Sequence, residues 1–405
     1  MSNIPKLRFP EFTDAWEKCK LGEVARFSKG SGYSKNDLVE HGKPIILYGR
    51  LYTNYQTIID EIDTFTVEKN KSVISEGNEV LIPASGESAE EIARASAIEK
   101  SGIILGGDLN IIKILTKLSP HFLAITLSNG NQKLELSKKA QGKSVVHLRN
   151  SDLETVVLLH PTLPEQQKIG NLFKQLDRLI TLHKRKWDDV ILLKKALLQK
   201  MFPKNGSDFP EIRFPEFTDA WEKRKLGEIL IENLKPVDKP QNGYTRLGLR
   251  SHMKGTFHEE VEAGKGLDVD TMYEVEENNL ILNITFAWEM AIAITNSFDK
   301  GKLVSHRFPQ YKFSQGYSPD FFYYSIDNKK FKENLLLASP GGAGRNRVLK
   351  KSEFLKIEKK FPKSLDEQQK IGNLFKQLDR LITLHKRQHE HYQLLKKALL
   401  QQMFI

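Results

Sequence analysis

One stretch of this chain is written twice. The sequence EQQKIGNLFKQLDRLITLHKR fills positions 165–185 and returns unchanged at 367–387, and each copy runs on into an LLKKALLQ tail at 192–199 and 394–401. In the first copy Ile169, Leu172, Phe173, Leu176, Leu179, Ile180, Trp187, Val190, Ile191, Leu197, Leu198 and Met201 recur at spacings of three and four, with Lys, Arg, Gln and Asp between them. That is the pattern of an amphipathic helix with a single apolar stripe. Pro164 suits a first helical turn and Pro203 a point beyond the last, which predicts a helix of about 38 residues, about 55–60 Å long. The second copy predicts the same from Asp366 onward. A helix of this length cannot cover its own stripe, and two matching stripes in one chain are natural partners, so an antiparallel pair of long helices is expected. His183 and His385 fall on or beside the stripe. They are expected as seam residues that keep register, because no Cys, Asp or Glu recurs beside them at metal-ligand spacing.

A second repeat opens each copy. FPEFTDAWEK at 9–18 returns at 214–223, and Lys-Leu-Gly-Glu follows it at 20–23 and at 225–228. The chain therefore reads as two tandem units, each with an opening segment, a globular part and a long helix, which implies a pseudo-twofold particle. With 405 residues there is room for two or three cores.

Between opening segment and helix the units diverge. Residues 24–160 carry short apolar runs at 45–47, 80–82, 103–105, 111–115 and 156–159, split by Gly, Asn, Asp and Pro, with helix-like passages near 87–97 and 120–127. Residues 229–362 behave alike, with strand-like runs at 280–286 and 291–295 and a helix-like passage at 320–332. The expected fold class is mixed α/β: two globular α/β domains separated by the antiparallel helices.

Charge and leader signals narrow the setting. Lys and Arg number 62 against 51 acids, a net charge of +11, which suits a polyanionic partner. Cys19 is the single cysteine, so an internal disulfide and a cysteine-based zinc site are both excluded and a reducing cytoplasm is expected. The N-terminus MSNIPKLRFPEF has no basic-then-apolar leader, and the longest apolar stretch, 281–294, is broken by Asn283, Trp288 and Glu289. Export and membrane spanning are not indicated.

The helix starts PEQQKIG and DEQQKIG, the segments AWEKCKLGE and AWEKRKLGE, and the passages 142–159 and 344–361 before each helix together resemble one family. It is the DNA-specificity (S) subunits of type I restriction-modification systems, and the resemblance spans essentially the whole chain. It implies target recognition domains at 16–160 and 221–362, each reading one half of a bipartite double-stranded DNA sequence, held apart by repeat helices at 161–203 and 363–405. Residues 1–15 and 204–220 would be the repeat and linker segments before each domain. It further implies docking of two modification (methyltransferase) subunits, with two restriction (translocase/nuclease) subunits in the full complex. S-adenosylmethionine, ATP and Mg would sit in those partners, with no cofactor in this chain. A spacer of fixed length agrees physically, because half-sites about one turn of DNA apart must be reached from one side of the duplex.

No catalytic or metal residue is assigned. Gly142-Lys143-Ser144 resembles the end of a phosphate-binding loop, but Ser137 stands where that loop needs its first glycine. A base-flipping adenine methyltransferase would need an Asn/Asp-Pro-Pro-aromatic motif, and the chain has no Pro-Pro pair. Better candidates for DNA contact are the glycine-rich basic passages. Residues 340–347 carry Arg345 and Arg347, suited to guanine, and Asn346, suited to adenine. The matching place in the first unit offers Lys143, Ser144, His147 and Arg149. Lys29, Ser31 and Tyr33 form a third group, and Arg50, Arg246, Arg250 and His252 follow a turn or apolar run. For each of these the alternative is an ordinary solvated surface. His306, Arg307 and Trp288 read as structural, and Trp16 and Trp221 as anchors, since a sequence reader would have no reason to repeat them. On the helices Lys174, Arg178, Lys184 and Arg185 are candidates for partner contact, with a solvated face as the alternative.

Overall fold

The computed structural model describes residues 4–204, 206–341 and 347–404. Each copy of the repeat is one unbroken helix, Leu163–Lys200 and Leu365–Met403. Compactness divides the chain into two units, Met1–Arg185 with Lys386–Ile405, and Lys186–His385. Each unit thus takes a part of both long helices.

In the first unit the two helical segments run antiparallel: Phe173 meets Phe404, Asp177 pairs with Lys396 at 2.5 Å, and His183 lies stacked on Tyr392. In the second, Lys194 pairs with Asp379 at 2.6 Å, and Phe202 stacks on Phe375. The sequence-predicted stripe is the buried one at Ile169, Phe173, Leu176 and Met201, whereas Ile191 is 40% exposed.

Within the first unit, one five-stranded sheet runs in the order Ala25–Lys29, Leu109–Ile114, Glu79–Pro83, Ser96–Ile98, Ile58–Ile59, and a second in the order Leu38–Val39, Phe65–Thr66, Lys43–Ile46, Ser101–Leu105, Ile74–Glu76. The strand Glu79–Pro83 is buried along its whole length. Successive side chains point to opposite faces, so Val80 and Ile82 join the core around Trp16, Phe122 and Phe173, while Leu81 joins the one around Ile46 and Leu105.

The second unit repeats the plan with other residues. A four-stranded sheet, Leu230–Glu232, Gln310–Phe313, Leu280–Leu282, Ile292–Ile294, accompanies a five-stranded one, Lys235–Asp238, Thr271–Glu274, Leu303–Val304, Tyr244–Leu249, Thr256–Val261. Leu280, Leu282 and Ile292 face the core with Trp221 and Phe321, and Ile281 and Ala293 face the other.

Three local expectations change. The helix expected near 87–97 is one turn, Ala89–Ile92, because Ser96–Ile98 is drawn into the sheet between Glu79–Pro83 and Ile58–Ile59. The strand expected over 280–286 stops at Leu282, where Asn283 turns the chain by accepting the Thr285 N–H at 3.0 Å. The passage 320–332 is two helices, Pro319–Ile326 and Lys329–Leu337. Asn328 starts the second by accepting the Phe331 N–H at 3.0 Å.

The repeated residues act as a latch between each domain and its helix. Glu165 is fully buried and takes a bidentate pair from Arg8 at 2.6 and 2.7 Å, and Glu367 takes the same from Arg213 at 2.8 Å. Gln166 accepts the Ser119 N–H at 2.8 Å and donates to the Pro161 carbonyl at 2.8 Å. Gln368 does likewise with Ser318 and Pro362, at 3.0 Å each. Ser119 and Ser318 are the caps of the helices Pro120–Leu127 and Pro319–Ile326. Gly170 and Gly372 let these helices come close: a Cβ there would lie 2.9 Å from the His121 Cβ and the Asp320 Cβ respectively. Trp16 and Trp221 are buried anchors against Phe122 and Phe321.

Candidate nucleic-acid interface

In the first unit the strands pair so that Lys29 lies beside Asn110, and Leu109 beside Pro83, at one end of the sheet. A hairpin is fastened to that end. His147 pairs with Ser85 and Val146 with Gly86, the Leu148 N–H reaches the Ala84 carbonyl at 3.0 Å, and buried Asn110 donates to the Leu148 carbonyl at 2.8 Å. Gln141 and His147 close its base with two backbone hydrogen bonds, 3.0 and 2.8 Å. Gly142 holds φ at 140°, and a Cβ there would sit 1.9 Å from the Val145 carbonyl oxygen, so only glycine makes this turn. Lys143, Ser144 and Val145 form the exposed tip, and His147 and Arg149 are exposed at its base. Lys29 is exposed, yet partial desolvation near its ammonium pulls it below the ordinary lysine range, against the attraction of Asp108.

Ser31, Tyr33 and Arg50 are placed differently. The Ser31 hydroxyl donates to the Leu105 carbonyl at 3.3 Å and accepts the Val73 N–H at 3.2 Å. Tyr33 is buried, accepts the Lys69 N–H at 2.7 Å and lies under the Lys69 ammonium. Arg50 pairs with Asp63 and donates to Gln56 at 3.0 Å and to the Glu61 carbonyl at 2.7 Å. These three side chains knit their own loops together.

The corresponding sheet end of the second unit is built from the loops after Leu280–Leu282 and before Gln310–Phe313. The Leu349 N–H reaches the Ile284 carbonyl at 2.8 Å, as Leu148 reaches Ala84, and the Ile284 N–H reaches the Arg307 carbonyl at 3.0 Å. His306 and Arg307, which the sequence suggests are structural, are exposed here. No pattern in the chain marks them, because only strand pairing brings them to this end. Trp288 is partly buried and donates to the Thr285 carbonyl at 3.2 Å. Arg347 is partly exposed, 3.5 Å from the Ser339 carbonyl, while Arg345 and Asn346 lie outside the described residues. The turn 250–255 packs onto the same loops: the His252 N–H donates to the Glu289 carbonyl at 2.8 Å and the Met253 N–H to the Met290 carbonyl at 2.9 Å. Arg250 and His252 are exposed, Arg250 lying over the Phe257 ring at 5.2 Å. Arg246, in the strand Tyr244–Leu249, is paired with Glu259 at 2.6 Å.

The helix cations divide as well. Lys174 turns onto Glu99 at 2.5 Å, which also meets His121 at 2.7 Å. Burial raises the Glu99 carboxyl, but Lys174 and His121 outweigh it and hold it below the ordinary range. Arg178 is exposed, 3.9 Å from Asp60, and Lys184 and Arg185 are exposed. Lys359 is brought down to about 7 by desolvation of its ammonium, with Lys330 adding to the effect, and it donates to the Ser325 carbonyl in the helix Pro319–Ile326. The residue as a whole stays partly exposed. Among the described residues no group of three His, Cys, Asp or Glu is placed to hold a metal ion, and no helix is long and apolar enough to cross a membrane. Each sheet end presents cations, ring N–H groups and backbone turns, the equipment for gripping phosphate and base edges.

Residues 13–192 match the family described as the type I restriction modification DNA specificity domain. The protein is thus of the class that carries DNA-specificity domains. The MjaVIII type I restriction enzyme specificity subunit of Methanocaldococcus jannaschii is 22% identical over 420 residues, covering 97% of this chain and 92% of its own. The crystal structure of the type I restriction-modification S subunit from M. genitalium has the same fold, with a TM-score of 0.58 at 15% identity over 99% of each chain. Residues 13–192 thus carry a type I restriction modification DNA specificity domain, and over nearly its whole length the chain is similar to type I restriction enzyme specificity subunits.

Proposed function

We propose that this chain reads a bipartite, asymmetric double-stranded DNA sequence, each unit taking one half through the loops at its sheet end, while the length of the long helices fixes the unread gap. The observation that carries this is the contrast between frame and loops. Latch contacts recur residue for residue, as Arg8–Glu165 and Arg213–Glu367 do, whereas the domain sequences 24–160 and 229–362 between the repeats diverge. A repeated frame bearing unlike readers suits an asymmetric target.

On this reading the chain has no reaction of its own. Adenine methylation and restriction belong to two modification and two restriction subunits, which hold S-adenosylmethionine, ATP and Mg, in the cytoplasm. Two copies of one partner are supported by apolar positions exposed alike in both units. Leu192 and Leu193 are 63% and 50% exposed in one, and Leu394 and Leu395 are 67% and 37% exposed in the other. Exposed leucines in pairs are what a docking helix covers. Arg178, Lys184 and Arg185 would line the approach, with Lys174 holding the domain in place through Glu99.

Mapping methylated adenines in cells that carry this chain and its modification subunit tests the proposal. The expected result is a two-part motif with a constant gap, and inserting about one turn of residues into a long helix lengthens the gap and leaves both halves intact. A single undivided motif, or a changed half-site after the insertion, sinks it.

A further inference from the structure

The second unit concentrates left-handed backbone in residues other than glycine. His252, Met253 and Met290 have φ of 60°, 54° and 61°. Such a conformation costs a bulky side chain free energy that glycine would be spared, and it persists where the surroundings over-determine it. Here the surroundings are explicit. His252 and Met253 donate their N–H groups to the Glu289 and Met290 carbonyls at 2.8 and 2.9 Å, the Ser251 hydroxyl donates to Glu289 at 2.7 Å, and the Tyr323 hydroxyl donates to the Met253 carbonyl at 2.7 Å. At the base of the turn the Arg250 N–H reaches the Gly255 carbonyl at 3.0 Å.

Two kinds of residue occupy this turn. Met253 is half-buried against the core and serves as the anchor. His252 and Lys254 are exposed, and the His252 side chain has no bond to the rest of the unit among the contacts described. Its backbone N–H alone fastens the turn, and glycine would supply that N–H with less strain. The imidazole therefore stands exposed on a turn that its backbone N–H already fastens.

We propose that the turn 250–255 is the rigid base-reading element of the second unit, with His252 as a specificity-determining residue that donates a ring N–H to an acceptor on a purine edge and Lys254 held over the adjoining phosphate. This rests on the reading of the chain as a DNA-sequence reader. A turn locked before DNA arrives loses little freedom on binding, so its contacts discriminate between bases.

The test uses the full chain with its modification subunit and compares the wild type with His252→Gly and His252→Asn, since both replacements suit left-handed backbone. Thermal unfolding and the methylated motif are read for each. The expected result is a melting midpoint equal to or above that of the wild type, an unchanged first half-site, and at least tenfold weaker discrimination at one position of the second. Lys254→Ala should reduce methylation about equally at all sites and make it less sensitive to salt. Both His252 variants keeping the wild-type second half-site would overturn the proposal, and so would a clear loss of thermal stability in both, which would make the imidazole a structural group. A wild-type complex with no two-part motif would overturn the underlying reading itself.

Discussion

The latch of the first unit and the latch of the second are made of the same residues and differ in what they meet. Glu165 and Glu367 each hold an arginine, but Glu367 also accepts the Trp221 indole N–H at 3.2 Å, whereas the Trp16 indole N–H makes no hydrogen bond among the described residues. Asp177 and Asp379 each hold a lysine, but Asp379 also accepts the Tyr324 hydroxyl at 2.8 Å. Identical residues thus give matching primary contacts, and the divergent domains decide how much each contact is reinforced.

The largest expected effect breaks that comparison at its centre. Replacing Glu367 by Ala strands Arg213, whose side chain is 12% exposed, and leaves the Trp221 N–H unpaired. A loss of about 3–5 kcal/mol is expected for a buried pair broken from one side. Glu165→Ala should cost less, because no indole depends on it. Urea unfolding of the two variants measures the difference, and equal losses would erase the asymmetry.

A smaller effect separates the two close approaches. Alanine at position 372 would meet the Phe321 backbone nitrogen at 2.9 Å as well as Asp320, while at position 170 the nearest contacts are all in the His121 side chain. Overpacking costs about 1–3 kcal/mol, against which alanine gains about 1 kcal/mol over glycine within a helix. Gly372→Ala should destabilise and Gly170→Ala should be nearly neutral, as melting temperatures would report. The reverse order would mean that the helix Pro120–Leu127, not Pro319–Ile326, is the more firmly held.

The smallest effect is one of pH and concerns the first unit. Glu99 is held below its ordinary range, so its stabilisation is present above the unfolded carboxylate's range and lost as pH falls through its folded value. Burial lowers His121, with Glu99 opposing, so the folded state favours the neutral ring and weakens as pH falls below about 6.5. Both groups act in the same direction on acidification. The drop in melting temperature between pH 7 and 4 should shrink in the double variant Glu99→Gln/His121→Asn. An unchanged drop would place the acid sensitivity elsewhere.

Much of the frame is legible in the chain because its signals are local. The apolar spacing gave the two long helices to within a few residues, and the passage 120–127 is a helix over the same residues, opened by Ser119 and Pro120. Where the reading failed, distant pairing had intervened. Residues 96–98 look helical in their own neighbourhood, but Ile58–Ile59 and Glu79–Pro83 take them as a strand. The surroundings of the candidate contacts are also set by distant residues. Arg50, in the sequence a candidate DNA contact or ordinary surface, is engaged by Asp63 and the Glu61 carbonyl. Arg307, read as structural in the sequence, is exposed at the sheet end.

By itself the sequence determined the duplicated rods, their approximate ends and their buried stripe, because periodicity and proline act over a few residues. Only the tertiary structure decided which loops share a sheet end, which cations are already occupied, and that His252 sits in a strained turn. Those facts depend on strand register and on carbonyls far away in the chain, and register is a property of the packed sheet rather than of any one stretch.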